Sequence, residues 1–275
     1  MLRLALRVRR ADAEVVLAEL LELAPGGVEE VDVSPEVVEY AVYGPPGELP
    51  DLPDVQAAAG GALVEVATRQ VPDDWAERWR EFHRPLVLGD RLVVRPPWSP
   101  VALAPGAIEL VIDPGRAFGT GAHATTRLCL ELLLELAPAG GVVDLGCGSG
   151  VLAIAAAKLG WQPVLALDYD PVSVAVAAEN ARLNGVLIEV ARHDLRQSVV
   201  PAAALVMANL LRPLLLDWAG QIAGGQRPDQ VIASGLLVEE ADEVAEAFAG
   251  VGLRELGRRA HGGWAALLLS AGDRG

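Results

Sequence analysis

Val142-Val143-Asp144-Leu145-Gly146-Cys147-Gly148-Ser149-Gly150 runs directly into Val151-Leu152-Ala153-Ile154-Ala155-Ala156-Ala157-Lys158-Leu159-Gly160. An apolar run enters a turn with glycine at every second position, and an alanine-rich helical run leaves it. Glycine has no Cβ, so such a turn can be tight and can let a ligand approach the main chain closely. The first amides of the following helix have no partner within the helix and point at whatever is bound. The pattern is the first βα turn of a doubly wound nucleotide-binding fold. Outward from it, Val164-Leu165-Ala166-Leu167 is the next apolar run, and Asp168 ends it, 22 residues after Gly146. A carboxylate there can accept hydrogen bonds from both ribose hydroxyls of an adenosine.

The spacing separates two ligand classes. A dinucleotide fingerprint reads G-x-G-x-x-G, whereas this loop reads Gly146-x-Gly148-x-Gly150 with Asp144 just before it. An acidic residue facing the loop suits a cationic ligand better than a pyrophosphate. The motif resembles the S-adenosylmethionine loop of class I methyltransferases. An ordinary glycine-rich βα turn without a ligand is the plainer alternative, and the carboxylate at the expected strand end argues against it.

Composition narrows the class. The 275 residues suffice for one large domain and a small one. No apolar stretch approaches the roughly 20 residues that a membrane helix requires, so no membrane association is expected. The two cysteines, Cys129 and Cys147, suggest neither a disulfide framework nor a zinc site, so no metal is expected and a reducing cytoplasm fits. Twenty-two basic against 37 acidic residues give a net charge of −15. Such a chain is repelled by bare nucleic acid, and direct binding to it is not expected. Acidity suits a basic protein partner, or serves solubility alone.

In chain order, residues 2–9 alternate Leu2, Leu4, Leu6 and Val8 with arginines, which reads as an amphipathic strand and not as a targeting peptide. A helix is expected over Asp12–Leu23, with Val15, Val16, Leu20 and Leu23 on its apolar face, and Pro25-Gly26-Gly27 stops it. Strands over 28–33 and 37–43, a short helix near 54–59 and a strand at 62–67 complete β-α-β-β-α-β, the ferredoxin-like order. Residues 1–70 hold five basic and 13 acidic side chains, a net −8, which marks a small docking module for substrate. Residues 71–100 read as a linker that contains a strand at Arg91–Arg95. Asp73-Asp74 offers a cap to a helix carrying Trp75, Arg78, Trp79 and Phe82, whose aromatics pack between domains or form a platform for a peptide.

A strand at 109–112 runs into Asp113-Pro114-Gly115-Arg116-Ala117-Phe118-Gly119-Thr120-Gly121-Ala122-His123-Ala124-Thr125-Thr126, a loop followed by a helix over about 125–136, at whose N-terminal end Thr125 and Thr126 can offer capping hydroxyls. Further on, Asp170-Pro171 begins a helix that ends at Asn184-Gly185, and alanine-rich residues 202–208 read as the fourth sheet strand, whose carboxyl end delivers Asn209. Here a more specific likeness emerges. DPGRAFGTGAHATTRLCL, VVDLGCGSGVLAIAAAKLG, LDYDP, MANLL at Met207–Leu211 and SGLL at Ser234–Leu237 resemble, in order and spacing over about residues 73–270, the ribosomal protein methyltransferase family PrmA. The long FGTG-containing motif is far more specific than the glycine loop. Two positions depart from the family: Ala124 stands where proline often follows the histidine, and Tyr169 where an aliphatic residue is usual. Neither removes a polar group assigned to the cofactor.

The resemblance implies an α/β fold: a Rossmann-like class I methyltransferase domain over 101–275, with a seven-stranded, mostly parallel sheet, behind a small ferredoxin-like α+β domain. It implies S-adenosyl-L-methionine as cofactor. It also implies methylation, up to trimethylation, of lysine and N-terminal amino groups of the eleventh large-subunit ribosomal protein. Carried over residue by residue, Thr126 and Gly146 contact the methionine part of the cofactor, Asp168 the ribose and Asn209 the reacting end. Asp144, Gly148 and Phe118 complete the cofactor site, and Asp194 is a weaker candidate beside the adenine. Three rivals stand beside this reading: a class I methyltransferase with another substrate, a nicotinamide oxidoreductase, and a non-catalytic ribosome-assembly binder.

The chemistry asks little of the protein beyond geometry. Displacement from a sulfonium has a neutral leaving group, so nitrogen, methyl carbon and sulfur must be held in line with an unprotonated amine. A lysine amine, near pKa ~10.4 in water, must lose its proton through desolvation or to a base. His123 is the only histidine beside the motif loops, and a helix-end structural role is the commoner one for it. Asn209, through its side-chain carbonyl, can accept a hydrogen bond from the amine without a dedicated base.

Overall fold

Alternation decides the first strand. In the computed structural model, Leu2–Arg9 is strand β1, with Leu4, Leu6 and Val8 buried and Arg9 exposed. Helix α1 (Ala13–Leu23), strands β2 (Glu29–Ser34) and β3 (Val37–Gly44), helix α2 (Leu52–Ala59) and strand β4 (Leu63–Gln70) follow. The sheet runs β2-β3-β1-β4, every pair antiparallel, which is the ferredoxin-like order. Val16, Leu17 and Leu20 of α1 and Val55 and Ala59 of α2 are buried. Val15, assigned by sequence to the apolar face, is 66% exposed: only the i, i+3, i+4 set that includes Val16 and Leu20 reaches the core. Arg3 and Arg7 on β1 pair with Glu39 on β3 at 2.7 and 2.8 Å, and Arg7 pairs with Glu65 on β4 at 2.6 Å. These ion pairs cover the polar face and each contributes little to stability.

Contacts divide the chain into the units Met1–Phe82 and His83–Gly275. The structure describes residues 2–24, 28–34, 36–44, 49–70, 85–113, 123–222 and 227–272. The expected helix carrying Trp75, Arg78, Trp79 and Phe82 therefore lies outside the described residues, as does Phe118. Residues 85–100, read from sequence as part of a linker, hold strands β5 (Leu86–Leu88) and β6 (Leu92–Arg95) of the second unit. With β7 (Ile108–Val111) they form a small sheet in which β6 is antiparallel to β5 and parallel to β7.

The main sheet of this unit has seven strands. In chain order the elements are α3 (Ala124–Leu133), β8 (Val142–Leu145), α4 (Val151–Lys158), β9 (Val164–Asp168), α5 (Pro171–Leu183), β10 (Glu189–Arg192), β11 (Leu205–Asn209), α6 (Arg212–Ile222), β12 (Gln230–Leu237), α7 (Ala241–Gly250), β13 (Arg254–His261) and β14 (Trp264–Ser270). Strand order is β10-β9-β8-β11-β12-β14-β13. The first five are mutually parallel, and β14 runs antiparallel to both neighbours. One buried cluster joins Leu128, Leu132, Ile154 and Trp161 on the side of α3 and α4. The other joins Leu215, Trp218 and Phe248 on the side of α6 and α7, with the Trp218 and Phe248 rings 5.4 Å apart. Strand order reverses at β8, so the crevice above the carboxyl ends of β8 and β11 is where a doubly wound sheet takes its ligand. Among the described residues no helix is long and apolar enough to cross a membrane.

Candidate cofactor and methyl-transfer site

The glycine-rich loop and the end of β9 close into one cradle. Gly146, Gly148 and Gly150 are all left-handed, at φ +73°, +51° and +79°. The loop is held from within by Gly150 N–H to Cys147 O at 2.8 Å, and against β9 by Gly146 N–H to Leu167 O at 2.8 Å and Cys147 N–H to Leu167 O at 2.9 Å. Asp168 receives Gly148 N–H on Oδ2 at 2.9 Å and Asp170 N–H on Oδ1 at 3.0 Å. A carboxylate offers about four lone-pair sites, so each oxygen keeps capacity for one hydroxyl. Burial pushes the Asp168 carboxyl up from its ordinary pKa, against the pull of the two amides.

Asp144 lies at the end of the central strand β8 and is 1% exposed. Its Oδ2 accepts from Ala153 N–H, in the first turn of α4, at 3.0 Å. Its Oδ1 is buried with no partner. Burial pushes this carboxyl up to about 7. Thr126, in the first turn of α3, is likewise 1% exposed and its Oγ1 is buried and unpartnered. Unpaired buried polar atoms cost about 1–3 kcal/mol each, so Asp144 Oδ1 and Thr126 Oγ1 are two groups held at a cost in stability.

Asn209 ends β11, paired in register with Ser234 of β12 and one residue beyond the Ala208–Leu145 pair with β8. It is half-buried at the carboxyl edge of the sheet, where parallel strands present their ligands. Leu210 then turns the chain, and its N–H donates to Ser234 O at 2.9 Å. Two glycines make room for it. A Cβ on Gly146 would meet Leu210 Cδ2 at 2.4 Å, and a Cβ on Gly235 would meet the Leu210 carbonyl oxygen at 2.4 Å. Gly235 is the bulged residue of β12, where the pairing with β14 shifts between Ser234 and Leu236.

One expectation changes. The cap of α3 expected of the threonines is made by His123: its Nδ1 lies 3.4 Å from Thr125 N and 2.8 Å from Thr125 Oγ1. Its ring meets Trp264 edge-on at 4.9 Å. Burial lowers the His123 pKa to about 4, so the imidazole is neutral near pH 7 and its Nδ1 is occupied in the cap. Asp194, at the end of the strand next to β9, accepts from Arg196 N–H at 3.0 Å and Gln197 Nε2 at 2.8 Å. Both cysteine thiols are buried and held protonated: Cys129 is pushed up to about 12, and Cys147 is also raised.

The family model for ribosomal protein L11 methyltransferase (PrmA) matches residues 54–271. The chain belongs to the PrmA family. The ribosomal protein L11 methyltransferase of Symbiobacterium thermophilum is 39% identical over 256 residues, 91% of this chain and 84% of that protein. That of Geobacter metallireducens is 38% identical over 265 residues, 92% of this chain and 88% of its own. The crystal structure of a ribosomal protein L11 methylase from Lactobacillus delbrueckii subsp. bulgaricus matches at a TM-score of 0.59 and 32% identity, over 68% of this chain and 97% of that one. PrmA proteins are S-adenosylmethionine-dependent class I methyltransferases, and this chain is one of them. The residues fit that cofactor on structural grounds. The spare acceptor sites of the partly exposed Asp168 carboxylate suit a diol.

Sequence reasoning passed over Gly235 and Asn180. SGLL was quoted as a family motif with no part given to its glycine, and Asn180 was read only as helix. The available signal for the second was Asn180 and Asn184 at i and i+4, one face of α5.

Proposed function

We propose that this protein transfers methyl groups from S-adenosylmethionine to lysine and N-terminal amino groups of the eleventh large-subunit ribosomal protein, up to the trimethylated state. The observation that carries the reading is the cradle formed where Gly148 N–H meets the Asp168 carboxylate, 2.9 Å away, at the switch point of the sheet. S-adenosylmethionine supplies an activated methyl group on a sulfonium when bound. Asp168 holds the ribose hydroxyls, while Thr126 and the Gly146 main chain hold the methionine end, with Asp144 and Gly148 shaping the loop and Phe118 completing the site. Asn209, paired with Ser234 of β12 at the carboxyl end of β11, orients the incoming amine by accepting a hydrogen bond from it. The amine reaches this position unprotonated, its proton lost to solvent as the site desolvates it; Asn209 then directs its lone pair through orientation, and the proton left on the methylated nitrogen also goes to solvent. His123, spent on its cap, takes no proton.

The net charge of −15 favours a basic substrate protein and disfavours direct contact with nucleic acid. Two free, buried cysteines suit a reducing cytoplasm. The acidic first unit, net −8 over residues 1–70, is the docking module for the ribosomal protein. The deciding experiment is mass spectrometry of that ribosomal protein after incubation with the enzyme and S-adenosylmethionine. Methyl increments mapped to lysines or the N-terminal amine support the proposal. No increment, with cofactor binding demonstrated by calorimetry, moves the substrate to another protein or a small molecule.

A further inference from the structure

Among the described residues, strand β7 pairs with β6 along one edge only, and side chains stand in for a strand on the other. Facing β6, Ile108 N–H donates to Arg91 O and Ile112 N–H to Arg95 O, each at 2.9 Å. The opposite edge carries the odd-numbered residues. Lys158 Nζ donates to Glu109 O at 2.7 Å. Asn184 accepts from Val111 N–H at 2.9 Å and donates to Val111 O at 2.7 Å. Asn180, one turn earlier on α5, accepts from Asp113 N–H at 2.9 Å and donates to Asp113 O at 3.3 Å. Backbone groups at a strand edge need partners, and these three residues supply them.

Asn180 makes one bond that Asn184 does not. It also donates to Ser149 O, inside the glycine-rich loop, at 3.0 Å. The side chain is 1% exposed, and its orientation is fixed, because a flipped carboxamide would set NH2 against Asp113 N–H. Ser149 O belongs to the peptide unit that carries Gly150 N–H, which closes the loop on Cys147 O. Holding that carbonyl therefore holds the loop in the conformation that presents Gly148 N–H to Asp168.

We propose that Asn180 is a positioning residue for the cofactor cradle, bracing the glycine-rich loop against the end of β7. The inference rests on the S-adenosylmethionine reading of the site. Asn184 has the same edge chemistry and its third bond goes to Asn180 O, at 2.8 Å, not to the loop, which makes it the control for losing the edge without losing the loop contact. The test is calorimetric titration of the full chain with S-adenosylhomocysteine, for wild type, Asn180→Ala and Asn184→Ala. Thermal stability and hydrogen exchange at the Val111 and Asp113 amides are followed alongside. Each variant should lose protection at its own strand amide, and the two should lose similar stability. Asn180→Ala should weaken binding at least about tenfold, equivalent to ~1.4 kcal/mol, while Asn184→Ala stays within about twofold, ~0.4 kcal/mol. Equal affinity losses in both variants, or unchanged affinity in Asn180→Ala, overturn the inference. If Asn180→Ala does not fold, Asn180→Ser replaces it in the same comparison, since one hydroxyl cannot serve all three bonds. A wild-type chain that binds no S-adenosylhomocysteine overturns the cofactor reading itself, a different result from equal losses in the two variants.

Discussion

Replacing Gly235 by alanine should damage both stability and turnover, through the backbone of Leu210. Gly235 sits at φ +84°, where an L-residue costs roughly 1–2 kcal/mol. The added Cβ would lie 2.4 Å from the Leu210 carbonyl oxygen and 2.7 Å from its carbonyl carbon. Both are backbone atoms, so no rotamer change relieves the overlap. The Leu210 peptide must retreat by about 1 Å to restore ordinary carbon–oxygen contact, and its bond to Ser234 O, 2.9 Å long, is lost at about 0.5–1.5 kcal/mol. Together the loss is about 1.5–3.5 kcal/mol, or about 3–14 °C in Tm for a unit of this size. Asn209 precedes Leu210, and a misplacement of that order at a reacting centre lowers kcat by about 10²-fold. Gly262 is the control. It has φ +58°, with nothing within 4 Å of an added Cβ. Gly262→Ala should therefore lose only the backbone cost of about 1–2 kcal/mol and keep its kcat. Denaturation and initial-rate assays on both variants separate the two contributions. Equal stability losses together with full kcat in Gly235→Ala would refute the claim that Leu210 needs this space.

Asp168→Ala should weaken S-adenosylhomocysteine binding by about 1–3 kcal/mol, the cost of losing hydrogen bonds to a charged group; an unchanged calorimetric affinity removes the ribose assignment. Asp144 makes a pH prediction. Burial raises its folded pKa to about 7, above the ordinary carboxyl value near 3.9, so the folded cofactor-free state binds the extra proton over that window. Its contribution to stability is thus fully present below about pH 4 and declines as pH rises through about 7. Thermal scans should show a slope in that window that Asp144→Asn lacks; identical slopes would remove Asp144 as its source. His123→Ala should cost about 1 kcal/mol of stability as a lost N-cap and leave kcat within about tenfold. A fall of about 10²-fold or more in a well-folded variant would restore it as a general base.

The cradle was legible because its parts are local in sequence. Glycine at alternate positions after an apolar run, and a carboxylate at the next strand end, are patterns that one βαβ unit imposes on its own residues. Asp170-Pro171 marked the start of α5 for a similar reason: Asp170 caps it, accepting from Val172 N–H at 3.0 Å and Ser173 N–H at 3.2 Å. The misreadings concern what a residue meets across space. His123 took the cap expected of the threonines because its ring can reach Thr125 N while lying against Trp264, from the other end of the chain. Val15 was placed on the apolar face because nothing in the heptad-like spacing says which edge of the stripe the sheet reaches. The strand expected over 202–208 begins only at Leu205, where pairing with Val142 and Gln230 starts.

Sequence by itself determined the fold class, the family and the chemical type of the ligand, because periodicity, turn glycines and the DPGRAFGTGAH and VVDLGCGSG motifs act through neighbours along the chain. Tertiary structure alone decided which groups are left without partners and which are spent. Thr126 Oγ1 and Asp144 Oδ1 became orphans, His123 became the cap of α3, and Gly235 and Asn180 gained their parts from Leu210, Asp113 and Ser149. Hydrogen-bond satisfaction and steric contact depend on atoms brought within a few ångströms by folding, and residues 31 or 67 positions apart carry no local signature of that meeting.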